Sequence, residues 1–192
     1  MLDLFSLSIR HESPDMPAPI SAIALLIFPV LVIWAALKDV TTFTIPNRLS
    51  GALALSFCLA AILVGAPLSV VGLNLAVGLA GLVIGAAMFA LGWIGGGDAK
   101  LLAAASLWLG WPALTTFLLA TTLAGGALAL LLLALRAELV RTHTPVLGGW
   151  MERLATPGAP APYGVAIACG ALFAFPLCTL AQIGHLAAPF SR

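Results

Sequence analysis

Four aspartates occur in the chain, and two of them, Asp39 and Asp98, stand beside long apolar runs instead of in the polar N-terminal stretch that holds Asp3 and Asp15. Ionisable groups beside membrane-length apolar segments are costly, face protein or water, and mark pathways or reaction centres. A pair of carboxyls has a particular use. Two that share one site cannot both ionise, so one stays an acid while the other activates water against a peptide carbonyl, which is aspartyl proteolysis. Each aspartate also has a plainer reading: Asp98 stands just ahead of LLAAASLWLG, with Ala99 and Lys100 between, and can cap that helix, and Asp39 marks where an apolar run ends. The flank of Asp98 shifts the balance. Gly95, Gly96 and Gly97 remove side chains beside it and let a substrate backbone approach, whereas capping calls for no such run.

The elements that must position these residues are membrane helices. Of 192 residues, 62% are hydrophobic, with only eight Lys and Arg and seven Asp and Glu, too few charges to dress a water-exposed surface. A formal net charge of +1 leaves no basic field for phosphates, so nucleic acid is excluded as a partner and lipid is the expected solvent. The expected fold is all-α, a polytopic membrane bundle of about six transmembrane helices. Apolar runs place them at residues 20–37, 50–64, 68–91, 99–110, 112–135 and 163–186. The fourth is about 18 Å long at helical rise, which predicts a short or partly re-entrant helix before Trp111 and Pro112 reset the chain. Gly72, Gly78, Gly81 and Gly85 give the third a small-residue face for close helix contact. Residues 1–19 read as a retained flexible tail without the features of a cleaved signal, 20–187 as one membrane-embedded domain, and 188–192 as a short tail.

Basic residues orient the bundle. With six spans, Lys38, Arg48, Lys100, Arg136, Arg141 and Arg153 fall on one side and only Arg10 and Arg192 on the other. Lysine and arginine accumulate on the cytoplasmic side, so both termini are expected outside. The same reasoning puts Asp39 and Asp98, 59 positions apart, at one membrane face.

Three motifs then carry a resemblance: Asp39 followed by Ile45-Pro46-Asn47 as D-x5-I-P-N, the run Gly95-Gly96-Gly97-Asp98-Ala99-Lys100, and Pro162-Tyr163-Gly164 opening the last span. The chain resembles the type IV prepilin peptidases, bacterial inner-membrane aspartyl proteases of the G-x-G-D type, over residues 20 to about 187. That resemblance implies that Asp39 and Asp98 are the catalytic aspartates. It also implies that the substrate is a prepilin or pseudopilin whose short basic leader is cut at the cytoplasmic face, and that no cofactor or metal is needed. Gly95, Gly96, Gly97, Lys100 and Asn47 are the expected substrate-binding residues. Lys100 is also a candidate to bias the neighbouring carboxylate, against the simpler role of an interfacial lysine. Several members carry an N-terminal insert with cysteine pairs and methylate the new pilin terminus. This chain has neither feature, so methyl transfer is not expected, and its size is similar to the short form of tight-adherence, Flp-type pilus systems.

Other chemistries lack their signatures. There is no G-x-S-x-G, no H-E-x-x-H and no P-loop, since Leu101 follows Lys100. Cys58, Cys169 and Cys178 form no C-x-x-C and read as buried small hydrophobes. Two rival functions remain: a small proton- or ion-coupled transporter using the paired aspartates, and a non-catalytic pilus assembly scaffold.

Overall fold

The computed structural model describes residues 18–137 and 149–187, all helix, turn or loop with no strand among them. The predicted tails lie outside these residues apart from Ala18 and Pro19, which already belong to the first helix; Glu138, Arg141 and His143 lie outside them as well.

The helices are α1 (Ala18–Thr42), α2 (Asn47–Leu63), α3 (Leu68–Ala90), α4 (Gly96–Arg136), α5 (Trp150–Ala155), α6 (Tyr163–Ala174) and α7 (Thr179–Ala187). The segments Ile23–Thr42, Leu68–Ala90, Gly96–Arg136 and Tyr163–Ile183 are long and apolar enough to cross a membrane, and α2 is a shorter apolar helix. On α1 one stripe is buried, comprising Ala24, Leu25, Phe28, Val32 and Ala35, while Ile23, Leu26, Val30, Ile33 and Leu37 are exposed on the other side. An outer face this apolar belongs in lipid, where helix packing rests on close contact rather than on burial from water.

The 41-residue α4 is two helices in succession. Gly110, at φ 65° and ψ −174°, breaks the helical path, and its left-handed conformation favours glycine. The first half starts beside Gly164 of α6, and the second half returns along α6, with Thr121 against Gly170 and Gly125 near Ala166 and Tyr163. With α6 and α7 counted as one span, the described residues therefore hold six apolar helical stretches, with a reversal at Gly110, one residue ahead of the predicted reset. The signal was read one step late because Pro112 is the conspicuous helix breaker, yet the turn needs the positive φ that only Gly110 supplies readily.

Every residue from Leu101 to Gly110 is buried, so the first half of α4 is the central post of the bundle. Gly78, Gly81 and Gly85 of α3 meet Leu107, Ser106 and Ala99 so closely that a Cβ at any of them would lie within 3.0 Å of a neighbour. Gly72 is different, with nothing within 4 Å. Trp108 anchors the far side: its Nε1 donates to the Leu53 carbonyl at 2.7 Å, and its ring lies 5.1 Å from that of Phe28.

Two further expectations change. The last span is broken, α6 and α7 being separated by a 3-10 turn at Phe175–Leu177, where Pro176 cannot donate a backbone hydrogen bond. Of the cysteines only Cys178 is buried, while Cys58 and Cys169 are exposed. In a membrane bundle the outer surface is also apolar, so apolar sequence neighbours do not locate the interior.

Candidate active site

Asp39 continues the inward stripe of α1, since Phe28, Val32, Ala35 and Asp39 recur at three- and four-residue spacing along one helix face. It is buried, and the helix runs only three residues further, to Thr42. There Phe43 takes a left-handed φ of 54° while its amide donates to the Asp39 carbonyl at 2.8 Å. Thr42 Oγ1 donates to the Lys38 carbonyl at 2.7 Å, closing off the same end. The chain then extends through Ile45 into Pro46, whose preference for an extended predecessor separates α1 from α2.

Asp98 is the third residue of α4, in the first turn, where a carboxylate meets unpaired amides and the positive end of the helix dipole. Its Oδ2 accepts from the Gly95 amide at 3.2 Å, so the capping reading of this residue is realised. The other oxygen, Oδ1, is buried and has no hydrogen-bond partner. Capping therefore occupies one side of the carboxylate and leaves the other available.

The third segment is Gly164, in the first turn of α6. Its amide donates to Asp39 Oδ2 at 2.7 Å and lies near the Asp98 carboxylate, and the two carboxylates lie close enough to act electrostatically on one another. Two acids 59 positions apart thus meet at one end of the bundle beside the Gly164 amide. Close approach depends on the missing Cβ: an added one at Gly164 would stand 2.7 Å from Asp39 Oδ2 and 2.8 Å from Ile45 Cδ1.

Ile45 is the wedge between the segments. It is buried, its Cδ1 touches Gly164, and its Cβ is 3.0 Å from where a Cβ of Gly97 would be. Sequence reasoning gave Ile45-Pro46 only a backbone role and assigned Gly164 no contact. The signal for both lay in the I-P-N and P-Y-G motifs, but nothing local shows that an isoleucine side chain and two distant glycines close on each other.

The remaining candidates fall into separate surroundings. Gly97 is packed against Ile45, Gly96 faces the ring of Phe89, and Gly95 is exposed beside the Asp98 carboxylate. Lys100 Nζ donates to Asn47 Oδ1 at 2.8 Å, tying the segment after Asp39 to the segment bearing Asp98. Its ammonium is thus engaged by Asn47. Tyr163 is half-buried next to Gly125. Among the described residues no three His, Cys, Asp or Glu side chains cluster in a way that could hold a metal ion.

This arrangement of a six-segment helical bundle with two buried acids at one end defines a membrane protein whose site can handle protons and water. The family model described as Type IV leader peptidase family matches residues 26–130, more than half of the chain, and the chain belongs to that family of peptidases. The match takes in Asp39, the Ile45-Pro46-Asn47 element and the Gly95–Lys100 run, and ends before Gly164. Neither a curated protein nor a solved structure matches the chain significantly.

Proposed function

We propose that the chain is an aspartyl endopeptidase that removes the basic leader from a prepilin-like substrate at the cytoplasmic face of a bacterial inner membrane. The observation that carries this reading is the meeting of Asp39 and Asp98 at the Gly164 amide, with Asp98 Oδ1 left unpartnered. In this mechanism one carboxyl holds a proton and polarises the scissile carbonyl, while the other takes a proton from the attacking water and passes it to the leaving amine. The Gly164 and Gly95 amides hold the two Oδ2 atoms, which fixes the orientation of each carboxylate before substrate arrives. The exposed flank at Gly95 admits the substrate backbone, and the Asn47–Lys100 bond pins the two loops that carry the acids.

The experiment is co-expression with a prepilin and sequencing of the product's amino terminus. Asp39→Asn and Asp98→Asn should each leave the leader attached while the protein still inserts in the membrane. Full processing by either variant refutes the assignment. A transporter would show no leader removal in the wild type, and a scaffold would support pilus assembly with both carboxylates neutralised.

A further inference from the structure

On the side formed by α2, α3 and α4 the bundle carries a hollow of about 580 Å³ whose lining includes neither aspartate. Residues 47–54, 75–82 and 100–107 supply its lining, equal stretches of three helices, each about 10 Å along its axis. On α4 the lining residues Lys100, Ala103, Ala104 and Leu107 follow the spacing of one helix face. Lys100 lies two residues from Asp98, about 200° around the helix, so the hollow and the acid pair occupy opposite sides of the same buried post.

Two polar features point to an occupant. Ser50 lines the hollow at only 6% exposure, and its Oγ is buried without a hydrogen-bond partner. A buried hydroxyl left unpaired is costly, and an acceptor brought to it relieves that cost. About one helical turn nearer the rim stand Asn47 and the Lys100 ammonium, whereas the rest of the lining is apolar side chains and glycine. A cation at the rim, a hydroxyl donor one turn deeper and apolar walls below it match the order of phosphate, ester carbonyl and acyl chain.

We infer that this hollow binds one glycerophospholipid, with its phosphate on Lys100, an ester carbonyl on the Ser50 hydroxyl and an acyl chain laid past Gly78 and Ala104. Because Lys100 already donates to Asn47, the phosphate competes for the bond that joins the two motif segments. Occupancy of the hollow therefore bears on how firmly those segments are tied.

Gly51 provides the test, since it lines the hollow and a Cβ there meets nothing within 4 Å. Gly51→Leu should fill the space without moving a helix. Native mass spectrometry of the detergent-purified protein titrated with phosphatidylglycerol should show one tightly held lipid on the wild type. Affinity should fall by about tenfold or more in Gly51→Leu and about fivefold in Ser50→Ala, with inorganic phosphate failing to displace the lipid. Equal lipid retention by wild type and Gly51→Leu, or displacement by inorganic phosphate, would overturn the inference. A photo-crosslinker on Gly51→Cys in native membranes gives an independent reading. Cross-links to phospholipid support the site, and cross-links to a prepilin's apolar segment instead would overturn it.

Discussion

A carboxylate inside an apolar bundle needs hydrogen-bond donors, and here a backbone amide donates to one oxygen of each acid while Asp98 Oδ1 goes without. Gly164 is the most exacting of these positions. Alanine is ordinarily the better helix residue by about 1 kcal/mol, yet at 164 its Cβ would press on Asp39 Oδ2 and Ile45 Cδ1 at once. Gly164→Ala should therefore lower leader removal by about 10²-fold, the usual penalty for a displaced catalytic group, while membrane insertion is unchanged. A rate equal to wild type in a processing time course would show that Asp39 is not held by this contact. Asn47→Ala should cost less than about tenfold in the same assay, because it removes a single exposed hydrogen bond. At this scale the sequence named the acids through their types and their glycine flank. The donors that hold them were hidden, because backbone amides carry no residue signature.

Among the elements, α3 and α4 set how close the segments come. Gly85 lies under the Ala99 backbone, one residue from Asp98, so Gly85→Leu should destabilise the bundle by about 1–3 kcal/mol through overpacking. Gly72→Leu, on the same helix with open space around it, should stay within about 0.5 kcal/mol of wild type. Thermal unfolding in detergent separates the two, and equal losses would mean that α3 does not pack through its glycine face. At the reversal, Gly110→Ala meets both a left-handed backbone and the Asn74 side-chain amide, so it should cost about 1–3 kcal/mol or more. The apolar runs and the small-residue face of α3 could be read from the sequence alone. Which glycines meet a neighbour could not, since Gly72 and Gly85 differ only in what lies across from them.

For the whole molecule, one end of the bundle gathers the acids, the Asn47–Lys100 bond and Arg136, whose Nε donates to the Leu154 carbonyl at 2.9 Å. The proposed orientation turns that end to the cytoplasm, following the accumulation of Lys and Arg. Arg48→Cys and Arg136→Cys should then both react with a membrane-impermeant thiol reagent only in inverted vesicles, and labelling from opposite faces would break the six-span topology. The helical segments were legible because lipid forces long apolar runs into helices. The internal break at Pro176 was less so, because a proline in a membrane helix can bend or end it according to what its neighbours supply. The most direct test of the account compares prepilin processing by Asp39→Asn, Asp98→Asn and the double variant. Acids that act as one unit predict that each single change loses about as much activity as both together, about 10²–10⁴-fold or more. Losses that multiply independently, or a single variant that still processes its substrate at the wild-type rate, would contradict it.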